Sequence, residues 1–239
     1  MRIGIVGPGR LGRSLAILLE RAGHLVATSG RHGWPEADVV LLTVPDGAIA
    51  EAAARVQGTP VLLHCSGACR VDVLRPYRPA GSLHPLMTFP GPEVALPDLT
   101  GVPAAVAGDS AAVAAATSVA TSLGMRPFLV PGDRRLYHAS AVMAGNFATV
   151  LLAEAARVLT AAGVPAAEAP SILAPLAVQS LRNASDDPST ALTGPVARGD
   201  EATLKRHRRA LADAGLADVV ALYELLTAHA RRLVTREDS

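Results

Sequence analysis

The hydrophobic rhythm of the chain changes once. Up to residue 131, short apolar runs of strand length alternate with stretches whose apolar positions recur at helical spacing. The first run, residues 3–6, is followed by Leu11, Leu15, Leu18 and Leu19 on one helical face, with Gly23 as a stop signal. "LVATSG" and "DVVLLTVPD" predict the next two strands, with a short connection between them. "AIAEAAARV" reads as a helix, "PVLLHCSGA", "AGSLHPLMTF" and "GVPAAVAG" as strands, residues 110–125 as a helix and "RPFLV" as a last strand. From Asp133 onward the strand signal stops. Residues 134–163 predict one long helix, residues 165–184 one or two helices depending on Pro175, and two closing helices follow a Pro- and Gly-rich loop. The order predicts an α/β domain over residues 1–131 and an all-α domain over residues 132–239.

Composition narrows the class. Half of the 239 residues are hydrophobic and only 3% are aromatic, so the core is expected to be Ala, Val and Leu packed closely. A net charge of +1 offers no general attraction to nucleic acid or an anionic membrane. The first strand starts at the first residue, and the longest uncharged helical run, residues 138–153, is short for a bilayer, so a cytoplasmic protein is expected. Cys65 and Cys69 have neither zinc-knuckle nor redox-pair spacing and read as free thiols. No set of His, Asp and Glu has metal-ligand spacing, so no metal is expected.

The chemistry begins in the first turn. Gly7, Gly9 and Gly12 form G-x-G-x-x-G directly after a strand and at the mouth of a helix. The first glycine permits the turn, the second lets the backbone approach a pyrophosphate, and the third lets helix and strand pack closely. The loop Gly7, Pro8, Gly9, Arg10, Leu11 and Gly12 is therefore a candidate dinucleotide cradle. The second strand ends in "ATSGRHG" with no acid until Glu36, where an NAD site usually carries one. Ser29 and Arg31 are suited to a 2′-phosphate, which favours NADP over NAD. Val44 and Pro45, ending the third strand, are candidates for an apolar wall along the cofactor, and Ser66 and Gly67 for contacts near its nicotinamide.

Several of these stretches together, "IGIVGPGRLGRSL", "TVPD", "LHCSGA", "LHPLMTF", "YHASAVMAGN" and "LTGPVARGD", resemble the Rossmann-like proteins with a DUF2520 C-terminal domain. These are grouped as NADP-dependent oxidoreductases within the superfamily of 6-phosphogluconate dehydrogenase, ketopantoate reductase and pyrroline-5-carboxylate reductase. The resemblance implies an α/β Rossmann-type domain followed by an all-α C-terminal domain, and a homodimer built through the helical domain. It names no substrate. The better-known relatives use a catalytic lysine on the first long helix of the second domain; the only lysine here, Lys205, lies far downstream.

Other proton donors are therefore needed. On a regular helix Asn146 lies about 80° around from His138 and about 12 Å along the axis, with Ala141, Val142 and Gly145 between them. That helix reads as buried, with a floor of small residues bounded by two polar groups. His138 is a candidate proton donor and Asn146 a candidate orienting group. His84, expected in a loop just after a short strand, is the rival acid. Gly145, Thr193, Gly194 and Arg198 are candidates for holding the substrate, whereas Asp200 reads as a helix N-cap and His207 as a surface residue. The leading expectation is an NADP(H)-dependent reductase of a small carbonyl or imine, acting in the cleft between the domains. The alternatives are a ketopantoate-reductase-like enzyme using histidine in place of lysine, and an NADP-binding sensor without turnover.

Overall fold

The computed structural model describes residues 1–29 and 36–234 of the chain. By their internal contacts these fall into two compact units, residues 1–145 and 146–239.

The first unit is built on a seven-stranded sheet in the order β2-β1-β3-β4-β5-β6-β7. The strands are β1 (Arg2–Val6), β2 (Leu25–Ser29), β3 (Val39–Leu42), β4 (Val61–His64), β5 (Ala80–Pro85), β6 (Pro103–Gly108) and β7 (Arg126–Leu129). β1 to β5 run parallel, β6 is antiparallel to β5, and β7 is parallel to β6. The central strands are apolar at successive positions because both faces of the sheet are covered. Ile3, Ile5, Leu41, Leu63 and Leu83 face one layer, where α1 (Arg10–Arg21) and α3 (Ser110–Ser122) bring Leu15, Leu19, Ala116 and Val119. Val6, Val40, Leu42 and Leu62 face the other, against Ile49 and Ala53 of α2 (Ile49–Ala54) and Leu74. The alanine-rich face of α3 is completely buried at Ala112, Ala116 and Ala120, which lets the helix lie close to the sheet. The closely packed core of Ala, Val and Leu expected from composition is found here.

The long helix begins in this unit as α4 (Arg134–Val142), whose N-cap Asp133 accepts a hydrogen bond from the Arg135 amide. It passes through a π-helical turn, Met143–Phe147, and continues as α5 (Ala148–Ala161). The regular α-helix expected here is thus interrupted, and the division between the units falls inside the π turn. A π turn has a wider residue repeat than an α turn, so the angular offset expected between His138 and Asn146 on a regular helix does not apply.

The second unit contains α5, α6 (Ala169–Asn183), α7 (Pro188–Ala191), α8 (Glu201–Asp213) and α9 (Ala217–Val234). Pro175 lies within α6 without ending it. α5 packs along α6, and α8 against α9. Asp200 caps α8 by accepting from the Thr203 amide, as its position before the helix implied. Few large side chains are enclosed: Leu204, Leu211 and Val219 are buried, whereas Phe147, Val150, Ile172, Leu176, Leu181 and Leu225 are exposed. The stretch Arg134–Ala161 was expected to be buried. Only 6% of its most apolar window is covered in the single chain. By length and composition that helix, with a mean hydropathy of 1.4, is also long and apolar enough to cross a membrane.

Candidate active site

The carboxyl edge of the parallel strands collects the candidate chemistry. At the end of β1, Gly7 has a φ of +106° and packs against the backbone of Thr43, where a Cβ would come within 2.9 Å. Gly12 has no room either: a Cβ there would lie 2.2 Å from the Gly7 carbonyl oxygen. Thr43, just beyond β3, ties the turn down by donating its hydroxyl to Gly7 O at 2.7 Å. Gly9 differs from both. It is extended, and among the described residues nothing lies within 4 Å of where its Cβ would project.

Gly9 is also the N-cap of α1, with no side-chain cap and no acidic residue in the first turn. The first turn of α1 therefore carries no carboxylate of its own to compete for the leading amides, and the nearby Glu93 carboxylate pairs with Arg13 at 3.0 Å, so the helix dipole favours an anion there. This open approach at Gly9, flanked by two positions closed to any side chain, fits a pyrophosphate held by Gly7, Pro8, Gly9, Arg10, Leu11 and Gly12. The Ser29 carbonyl, at the end of β2, accepts from the Gly7 amide at 3.1 Å, and its hydroxyl is buried without a partner. Arg31 lies outside the described residues. Val44 packs beside Gly7, and exposed Pro45 leads into a short 3₁₀ turn, Asp46–Ala48.

A second cluster forms at the carboxyl ends of β4 and β5. His84 lies inside β5, paired with Ala105 of β6, and not in a loop as expected. The antiparallel ladder carries the strand through Pro85, which the Pro residue in the sequence concealed. Its Nδ1 is 2.7 Å from the Tyr137 hydroxyl. The His84 and His138 rings are 6.2 Å apart between centroids and meet edge-on. Gly67 closes this pair from the β4 side. A Cβ on it would lie 2.6 Å from His138 Cδ2 and 2.8 Å from His84 Nε2. Ser66 shapes the turn by accepting from the Ala68 and Cys69 amides with its hydroxyl. Ser66 and Gly67, read as cofactor contacts, thus stand in this structure as the wall behind two imidazoles.

The electrostatics are unusual for a cluster of bases. Burial, and then the Arg134 guanidinium and His138, lower the pKa of His84 to about 4, with Asp46 opposing. His64, the last residue of β4, is wholly buried, and burial followed by Arg134 likewise lowers it to about 4. Neither His64 ring nitrogen has a well-formed hydrogen bond; the Arg70 backbone approaches it without good geometry. Burial raises the Tyr137 phenol. At neutral pH His84 is therefore an uncharged imidazole, a hydrogen-bond donor or relay, and it stays uncharged down to a pH at which an ordinary histidine has become imidazolium. Cys65 is a free, buried thiol pushed up to about 12, and Cys69 is free and half-buried.

Arg134 and Tyr137 escaped the sequence reading. Their spacing of three places them on one face of a helix, where Tyr137 meets His84. Nothing in the sequence says that this face meets β4 and β5. Gly145 ends the first unit. Asn146, Thr193, Gly194 and Arg198 belong to the second, where Asn146, Thr193 and Arg198 are exposed and Gly194 adopts a φ of +91°. His207 is exposed, as expected, and hydrogen-bonds Tyr223 at 2.9 Å. Among the described residues no group of three His, Cys, Asp or Glu side chains is disposed to hold a metal ion.

A family model described as a domain of unknown function, DUF2520, matches residues 102–230, more than half of the chain. The chain belongs to the DUF2520 family. No curated protein matches it. Among solved structures it is similar to a candidate NADP oxidoreductase from Bacteroides fragilis, with 25% identity and a TM-score of 0.79, covering 97% of this chain and 98% of that one. A Thermotoga maritima protein is 24% identical with a TM-score of 0.78, covering 99% and 100%. The 1-pyrroline-5-carboxylate reductase of Streptococcus pyogenes has the same fold at 16% identity and a TM-score of 0.63, covering 97% and 98%. The DUF2520 assignment and the Rossmann-like first unit agree with what the sequence motifs implied.

Proposed function

We propose that this DUF2520 protein is a soluble, cytoplasmic NADP(H)-dependent reductase of a small carbonyl or imine. The observation that carries the reading is one sheet edge. An open glycine turn with uncapped helix amides ends β1, and a His84–Tyr137–His138 cluster gathers at the carboxyl ends of β4 and β5. Ligands of open α/β sheets bind at that edge. The likeness to the Bacteroides NADP oxidoreductase supports the cofactor class. The absence of an acid at the end of β2 and the presence of Ser29 and Arg31 support NADP over NAD.

The cofactor supplies a hydride when bound. The chain's residues handle the other half of the reaction. As the substrate carbon gains a hydride, the π electrons of C=O or C=N move to the heteroatom, which must take a proton. His84 gives its Nε2 proton to that heteroatom while its Nδ1 takes the phenolic proton of Tyr137, and the resulting phenolate regains a proton from solvent. His138, against the same Gly67 wall, orients the heteroatom by hydrogen bond. An uncharged donor suits a strongly basic product oxyanion or amide anion.

The exposed apolar face of α5 and α6 supports a homodimer, with a second copy covering what the single chain leaves open. That reading places the apolar helix against protein and not lipid.

The test is NADPH oxidation by purified protein with a panel of ketoacids, aldehydes and cyclic imines. Turnover with at least one class is expected, falling at least a hundredfold in His84→Ala with NADPH affinity retained. Saturable NADPH binding with no turnover across the panel would favour a sensor.

A further inference from the structure

Arg134 is the most heavily buried charged residue of the cluster, with 7% of its surface exposed. One terminal nitrogen donates to the Ser66 carbonyl at 2.9 Å. Among the described residues its Nε and other terminal nitrogen are buried with no hydrogen-bond partner, and no carboxylate pairs with it. The guanidinium carbon lies 5.8 Å from the centre of the Tyr137 ring. Burying a cation this way costs stability, and an apolar side chain of similar length would fill the space at less cost. A cation kept here under that penalty points to a use for its charge or its reach.

Both are visible. The Ser66–Cys69 turn is held from outside by Arg134 and from inside by the Ser66 hydroxyl. That turn presses Gly67 against His84 and His138. The charge acts on the same pair. His84 faces Tyr137, Arg134 and His138 from α4, His64 from β4, and Asp46 from the turn after β3.

We propose that Arg134 is the positioning residue of this site: it clamps the Ser66–Cys69 turn behind the His84–Tyr137 pair and biases the charge of that pair, without touching substrate. The proposal rests on the reading of His84 as the group that serves the substrate. After burial, Arg134 is the largest influence holding His84 and His64 uncharged. Removing it lets His84 charge more easily, and frees the wall that fixes the ring.

The experiment compares Arg134→Met, which loses charge and clamp, with Arg134→Lys, which keeps the charge but not the planar fork. NMR titration of the His84 imidazole, in protein without substrate, reads the charge. In R134M the midpoint is expected to rise by about one pH unit or more, and in R134K to stay near that of the unaltered protein. The acid limb of kcat/KM is expected to move with the R134M midpoint, and R134K to lower kcat at least tenfold with NADPH affinity within twofold. A folded R134M with an unmoved His84 midpoint overturns the assignment. Should R134M not fold, R134K decides alone: a shifted midpoint, or an unaltered kcat, overturns it. An upward His84 shift in R134M without any NADPH oxidation in the unaltered protein would instead sink the reductase reading and leave the role of Arg134 in place.

Discussion

The two units differ in how much of their apolar side-chain content they enclose, although the first also leaves Leu25, Leu129 and Leu136 exposed. In the first, Ile5, Leu41, Leu42, Leu62 and Leu63 are fully enclosed between helices on both faces of the sheet. In the second, Leu176 is 68% exposed and Phe147 59%, and Leu181 and Leu225 are similarly open. The sheet unit encloses a core of its own, and the helical unit encloses few of its large apolar side chains in the single chain. The same contrast governs polar groups. The first unit buries His64, His84 and Arg134 at a cost, whereas the second keeps its ion pairs, such as Arg157–Asp218, in solvent. Costly polar burial is the reason the first unit is proposed to hold the active site.

The sharpest break is at the exposed face. Leu176→Asp is expected to weaken self-association at least a hundredfold by sedimentation velocity while leaving the first unit folded by NMR. A protein that is monomeric before the substitution would remove the dimer reading.

Acid comes next. His64 and His84 have folded pKa values of about 4, below the ordinary 6.5, so between those pH values the unfolded chain binds more protons than the folded one. Their contribution is complete above pH 6.5 and is lost as pH falls toward 4, by an upper bound of about 3 kcal/mol each. Urea unfolding at a series of pH values reads this. His64→Leu is expected to flatten the slope, and an unchanged slope would contradict the burial argument.

Gly67→Ala should cost about 1–3 kcal/mol and displace both imidazoles, because its Cβ has no space. Turnover is expected to fall at least tenfold with NADPH affinity kept, which separates the histidine cluster from the glycine loop. The smallest effect on stability belongs to Gly9→Ala, within about 0.5 kcal/mol, since its Cβ enters open space. Its NADPH affinity should nevertheless drop at least tenfold. Gly12→Ala, aimed into the Gly7 carbonyl, should destabilise the fold far more.

Periodicity carried the strand–helix order of the first unit and the helices of the second, because a covered parallel sheet and an amphipathic helix leave different repeats in the sequence. The glycine turn was equally readable, since its spacing states a geometric need. Three things were not. The π turn at Met143–Phe147 has no distinctive residue pattern, so a regular helix was assumed. Pro85 reads as a break that puts His84 in a loop, whereas the pairing of His84 with β6 depends on a strand about twenty residues further on. Arg134 and Tyr137 acquire meaning only from contact with Ser66 and His84, distant in sequence. Long-range contact, not local propensity, placed His84, Arg134 and Tyr137.

The central claim is that the glycine turn ending β1 cradles NADP(H). Its most direct test is a titration of the purified protein with NADPH and with NADH, followed by nucleotide fluorescence. The account predicts saturable NADPH binding at least tenfold tighter than NADH binding. Absence of saturable binding by either nucleotide would contradict it.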